Sequence, residues 1–116
     1  MDSCQPHWSD HALDLIAHRF KLLAEPSRLR LLYALFNGEM TVGELANNTC
    51  LNQANVSQQL AMLADGGLIA RRKEGCRILY RLADPSVQRL SDLVCRGLQQ
   101  RGQLLLDALD DTKMMP

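Results

Sequence analysis

A net charge of either sign is missing from this chain. Its 13 Lys and Arg stand against 13 Asp and Glu, so with His neutral the sum is zero. That excludes a uniformly basic, histone-like protein but leaves room for a local basic patch. No run of about 18 apolar residues occurs, so there is no candidate for a transmembrane helix. The first residues, MDSCQPHWSDH, carry acids and no apolar stretch. They do not read as a secretory signal, and a cytoplasmic protein with no membrane partner is expected. Four cysteines, Cys4, Cys50, Cys76 and Cys95, lie 46, 26 and 19 residues apart, with no CxxC pair. Such spacing suits neither a disulfide framework nor a structural zinc site. In the cytosol these thiols are expected to be reduced unless something oxidises or ligates them. Internal repeats, low-complexity tracts and linkers rich in Pro, Gly or Ser are also absent.

What is present is one domain's worth of chain, 116 residues, of which 47% are hydrophobic and 22% charged. These proportions argue against disorder. Residues 1–8 read as a flexible arm, 9–110 as the folded domain and 111–116 as a tail. From Ser9, a plausible N-cap, Ala12, Leu13, Ile16, Phe20 and Leu23 recur at helical steps. Glu25-Pro26 restarts the chain as a second helix through Leu35 and Phe36, stopped by Asn37-Gly38. Thr41 and Glu44 form the pattern of a capping box, which predicts a short third helix from Val42 to about Asn48. After a turn at residues 49–52, Asn52 can cap a fourth helix over 53–64, with Val56, Leu60 and Leu63 inward. Asp65-Gly66-Gly67 ends it. Two extended runs around Glu74-Gly75 then read as a β-hairpin. Asp84 is expected to cap a last helix, from Pro85 to roughly Leu109, whose apolar residues include Val87, Leu90, Val94, Leu98 and Leu105.

Two short helices joined by a tight turn and followed by a basic hairpin describe a winged helix-turn-helix. The expected fold is mainly α with a β-hairpin wing, in the order α-α-α-α-β-β-α. The fourth helix would then enter the major groove by its N-terminal end. Gln53, Asn55, Ser57, Gln58 and Gln59 are its polar residues there, of types that can bond base edges and phosphates. In the wing, Arg71, Arg72, Lys73 and Arg77 are expected to meet phosphate. Residues 53–82 hold five basic side chains against two acidic ones, a net +3, so the rest of this neutral chain carries −3. A neutral protein that binds double-stranded DNA needs that asymmetry.

These residues carry a resemblance. The phrases LLAEPSRLRLLYAL (22–35), TVGELA (41–46), NQANVSQQLAMLADGGLIARRKEGCRILYRL (52–82) and DPSV (84–87) resemble the ArsR/SmtB family of small winged-helix repressors. Gln59 stands where family members often have His. The resemblance implies a homodimer through the first and last helices, bound to operator DNA. The long apolar stripe of the last helix independently suggests such a partner, since one small domain could not cover it.

Family members commonly release DNA on binding a metal, metalloid or oxidant. The family's CVC phrase is here Thr41-Val42-Gly43, so that thiolate site is absent. Of the four ligands of a second family site, only Asp84 is matched, with Ser86, Gly97 and Gln100 in the other places. One ligand of four cannot hold zinc. No cofactor is implied. His7, His11 and His18 form no ligand spacing with the cysteines. The candidates for sensing are therefore Cys50, in the turn before the fourth helix, Cys76 in the wing and Cys95 in the last helix. A thiolate is both nucleophile and soft-metal ligand. Oxidation or sulfur transfer competes with soft-metal or arsenite capture, and a constitutive DNA binder with no thiol inducer is the alternative. An enzyme is not expected, because no cysteine except Cys4 has a histidine close by in sequence to act as base.

Overall fold

Local capping chemistry sets the helix starts. The computed structural model describes residues 7–102 and 107–109. Helix α1 spans Asp10–Leu23, and the Ser9 hydroxyl at its N-cap accepts from the Ala12 amide at 3.1 Å. Helix α2, Pro26–Leu35, has Glu25 as N-cap and Pro26 in its first turn. Proline suits that place because the first amides of a helix have no partner within it. Helix α3, Val42–Thr49, starts with the full capping box: the Glu44 amide donates to Thr41 Oγ1 and the Thr41 amide to Glu44 Oε1. Asn52 caps helix α4, Gln53–Asp65, by accepting from the Asn55 amide at 2.7 Å.

Strands β1, Ile69–Glu74, and β2, Arg77–Leu82, form one antiparallel hairpin with Ile69 opposite Leu82 and Glu74 opposite Arg77. Gly75 begins its two-residue turn at φ +61°, a left-handed conformation that glycine adopts without steric cost. A bridge between Met40 and Tyr80 ties β2 to the loop between α2 and α3. The order expected from the sequence, four helices, a hairpin and a helix, is the order found.

The chain falls into two units, Met1–Asp84 and Pro85–Pro116. The first holds a leucine-rich core. Leu22 of α1, Leu31, Leu32 and Leu35 of α2, Leu45 of α3, Val56, Leu60 and Leu63 of α4, Leu68, Ile69 and Leu79 are all buried. Each fully buried aliphatic side chain contributes about 1.5–3 kcal/mol relative to leaving it exposed. Helix α1 contributes little to this core. Its Leu13, Leu15 and Phe20 are 45%, 58% and 55% exposed.

The second unit departs from expectation at both ends. Helix α5 is Ser86–Arg101, with Pro85 in the N-cap position, so it starts one residue late. Asp84 accepts from the Arg19 guanidinium at 2.7 Å. The helix ends at Gly102, which is extended at φ 170° and ψ 155°, and does not run unbroken to Leu109. Glycine is a weak helix residue, though α5 also carries Gly97 in its interior without a break. Residues 107–109 are again helical, while Leu104, Leu105 and Leu106 of the expected stripe lie outside the described residues. Leu93, Val94 and Leu98 of α5 are exposed.

Leu60 tests the core assignment. Leu60→Ala should lower stability by about 2–5 kcal/mol in urea denaturation. A loss within about 0.5 kcal/mol, the scale of surface changes, would place Leu60 outside the core.

Candidate nucleic-acid interface

Helices α3 and α4 meet through a turn of three residues. Cys50 ends α3 in the left-handed region, at φ +62°, the one non-glycine residue there among those described. That left-handed residue ends α3, and the Asn52 cap starts α4 directly after the turn. Burial of Val56, Leu60 and Leu63 turns the opposite side of α4 outward. Gln53, Ser57 and Gln58 are exposed on it, and Asn55 and Gln59 are half-buried. All five expected residues therefore share one stretch of α4, but they are not equally available. Arg28 Nη1 donates to Gln59 Oε1 at 3.0 Å, and Gln59 Nε2 donates to Asn55 Oδ1 at 3.3 Å. Both polar atoms of Gln59 are thus engaged within the protein.

The wing divides its cations by strand alternation. Successive side chains of a strand point to opposite faces. Arg71 and Lys73 lie opposite Tyr80 and Ile78 on one face, while Arg72 and Glu74 lie opposite the buried Leu79 and Arg77 on the other. On that second face Arg72 makes a two-pronged pair with Glu39, both contacts at 2.8 Å, and a third contact with Glu74 at 3.3 Å. Arg77 lies 3.9 Å from Glu44. Among the described residues, Arg71 and Lys73 have no acidic partner.

Electrostatics follow this pairing. The hydrogen bond from Arg72 holds the Glu39 carboxyl below its ordinary value, and the same bond pushes the Arg72 guanidinium further up. Glu44 is held low chiefly by the Thr41 amide. Sequence reasoning took Glu44 as a helix cap and overlooked Glu39 and Arg28. Arg28 could have been suspected, being a cation inside the leucine-rich run of α2. Glu39 gave no local sign, since its partner lies 33 residues on.

The three sensing candidates within the described residues are free thiols. Cys50 and Cys76 are exposed and Cys95 is half-buried. Cys50 lines a cavity of about 310 Å³ with Arg30, Tyr33 and Asn48 among its walls. Cys4 lies outside the described residues. Among those described, no three His, Cys, Asp or Glu side chains come together as a metal would require. No helix among them is long and apolar enough to cross a membrane.

The helix-turn-helix with its hairpin coincides with a known family. The model of bacterial regulatory proteins of the arsR family matches residues 25–71. An HTH-type transcriptional regulator of Mycobacterium tuberculosis, Rv0081, is 37% identical over 104 residues, 85% of this chain and 91% of that protein. The chain belongs to the arsR family. The crystal structure of Rv0081 has a TM-score of 0.73 at 33% identity, over 87% of this chain and 99% of that one. The crystal structure of the AntR antimony-specific transcriptional repressor has a TM-score of 0.74 at 31% identity, over 85% and 90%. A homodimeric winged helix-turn-helix DNA-binding domain from Mycobacterium bovis, solved in solution, has a TM-score of 0.67 at 39% identity, over 78% and 86%. In this arsR-family chain, α3 and α4 are the helix-turn-helix and β1–β2 is the wing.

Two main-chain bonds between Met40 and Tyr80, at 3.0 and 2.8 Å, lie beside the Glu39–Arg72 pair. Together they tie the wing to the loop before α3. Glu39→Gln should therefore speed hydrogen exchange at the Met40 and Tyr80 amides at neutral pH. A carboxylate held low stabilises the fold above its ordinary value of 4.5 and loses that effect as pH falls through its lower folded value. The unsubstituted protein should show the same loosening in that acid range, after correction for intrinsic exchange. Equal protection in both proteins at neutral pH would show that the pair does not hold the wing.

Proposed function

We propose that this arsR-family regulator is a homodimeric, cytoplasmic transcriptional repressor that a thiol-directed signal releases from its operator. The observation that carries the DNA-binding part is the polar outward face of α4 beside Arg71 and Lys73, two of the wing cations without an acidic partner among the described residues. Gln53, Asn55, Ser57 and Gln58 are positioned to meet the major groove. Gln59, expected to read DNA, instead holds Asn55. Arg71 and Lys73 meet phosphate, whereas Arg72, expected to do the same, is held by Glu39; Arg77, 3.9 Å from Glu44 and mostly exposed, stays available to phosphate.

The exposed apolar residues of α1 and of α5 support a second copy as partner, as in the homodimeric Mycobacterium bovis domain. A dimer bound to a two-fold-related operator would span half-sites about one helical turn apart. Both chains then place an α4 in successive major grooves on one side of the duplex. Cysteine control is supported by the exposure of Cys50 beside α4 and of Cys76 in the wing, where any added group changes the DNA-facing surface. A relative named as an antimony-specific repressor agrees with soft-metalloid control. The reading includes no catalytic step.

Phosphate contacts are counted by salt. Each one lost reduces the slope of log affinity against log salt by about 0.9 on duplex DNA. Arg71→Ala and Lys73→Ala should each flatten this slope, by about twice that value in a dimer with two wings. Arg72→Ala should leave the slope close to that of the unsubstituted protein. If Arg72→Ala flattens it as much as Arg71→Ala, Arg72 leaves Glu39 for phosphate in the complex.

Thiol control is tested by fluorescence anisotropy of a labelled duplex taken from upstream of the gene. Reduced protein should bind tightly. Treatment with a polysulfide, a peroxide or arsenite should abolish binding in at least one case, and dithiothreitol should restore it. Intact mass then shows which cysteines changed. Tight binding that ignores all three agents would leave a constitutive DNA-binding regulator.

A further inference from the structure

Arg28 occupies a place that the DNA-binding reading does not by itself explain. It lies in α2, and its guanidinium spans two other helices. Nε donates to the Leu22 carbonyl at 2.8 Å, and Nη2 reaches the Lys21 carbonyl at 3.4 Å. Both carbonyls belong to the last turn of α1; the Leu22 carbonyl is one that a helix end leaves open, while that of Lys21 also accepts from the Ala24 amide at 3.2 Å. Nη1 reaches α4, donating to Gln59 Oε1 at 3.0 Å and passing 3.8 Å from Met62 Sδ. The group is thus fixed at three points.

The direction of this network follows from chemistry. A guanidinium can only donate. Gln59 must therefore turn its oxygen to Arg28, which leaves its N–H₂ to donate to Asn55 Oδ1 at 3.3 Å. Asn55 in turn must face Gln59 with its oxygen. Its own N–H₂, unpartnered among the described residues, is left for the outside. An asparagine side chain in water has no such preference, since its oxygen and nitrogen are nearly alike in shape.

We infer that Arg28, acting through Gln59, sets Asn55 as a hydrogen-bond donor toward DNA and so helps determine which sequence is bound. The inference rests on the DNA-binding reading. Asn55 then seeks an acceptor. In the major groove these are guanine N7 and O6, adenine N7 and thymine O4, and on the backbone they are phosphate oxygens. It does not accept from cytosine N4 or adenine N6, the donors of the same groove. Arg28 and Gln59 are positioning residues in this arrangement.

The test is selection of duplexes from a randomised pool of roughly two helical turns, the span of a dimer site, by full-length wild-type protein and variants. Asn55→Ala should weaken the preference at one base pair in each half-site by about tenfold, the scale of one good base contact. Gln59→Met should weaken the same base pair, and the double variant should do no more than Asn55→Ala. Gln59→Glu is the sharper change. The new carboxylate still pairs with Arg28 but cannot donate, so Asn55 turns its N–H₂ inward and its oxygen out. The preference at that base pair should then move to a donor-bearing edge, a result that a merely structural role would not produce. The added negative charge lowers affinity for all sequences alike, so the ratio between sequences is the quantity read.

If the substitutions lower affinity equally for every sequence, Asn55 meets a phosphate oxygen, and the role in choosing sequence is overturned. A Gln59→Met protein with the wild-type motif and affinity, or with an effect that adds fully to Asn55→Ala, overturns it. Arg28→Ala removes the closure of α1 and risks unfolding, so the Gln59 variants decide the matter. Wild-type protein that binds no duplex sinks the DNA-binding reading and this role together, and it shows before any substitution is made.

Discussion

The inward side of α4 governs what its outward side can do. Val56, Leu60 and Leu63 are buried against the leucines of α2, α3 and the strand region. Their burial is worth about 1.5–3 kcal/mol each, and it fixes the rotation of the helix about its axis. A rotation large enough to expose Leu60 would carry Gln53, Ser57 and Gln58 off the surface. The polar face therefore needs no device of its own to point outward. The Asn52 cap fixes where the helix begins, and the core fixes which way it faces.

Charge is handled with the same economy. The chain is neutral, and a simple count gives residues 53–82 a clear positive excess. Folding brings Glu39 and Glu44 to two of those cations, so the excess narrows to fewer groups. An exposed ion pair contributes little to stability, commonly about 0–1 kcal/mol. The two-pronged contact of Glu39 with Arg72 serves geometry more than energy, because a planar guanidinium and a planar carboxylate meet in one orientation. Arg72 lies on the hairpin face that meets Glu39 and Arg71 on the opposite face, although they are adjacent, because strand side chains alternate. Arg19 acts similarly at the edge of α1, where it binds Asp84 and the Gly66 carbonyl.

Apolar surface on α1 and α5 is the other feature that one chain leaves unresolved. Leu15, Phe20, Leu93 and Val94 are each more than half exposed. Exposed apolar side chains of that kind are costly in water. The core of the first unit is satisfied without these residues.

Much of the fold was legible in the sequence because its signals are local. Ser9, Thr41 with Glu44, and Asn52 all cap helices through bonds to amides three residues away. Gly75 makes a turn within two residues. Such contacts depend on the order of the chain and little else. The spacing of Val56, Leu60 and Leu63 likewise announced both a helix and its buried side. The end of α5 was not legible: apolar periodicity runs on past Gly102, where the backbone is extended.

The site was legible in outline and not in detail. The residue types on α4 and in the wing follow from reading along the chain. Which of them remain available was decided in three dimensions, by partners that sequence order does not reveal. Arg28 and Gln59 are 31 residues apart, and Arg72 and Glu39 are 33. The sequence by itself determined the elements, their order and the polar stretch of α4, because hydrogen bonds within one turn and the period of apolar residues are written locally. Only the tertiary structure decided that Gln59 and Arg72 are braces while Asn55, Arg71 and Lys73 are left facing outward, because a side chain's free valences depend on which distant groups the fold brings within about 3 Å.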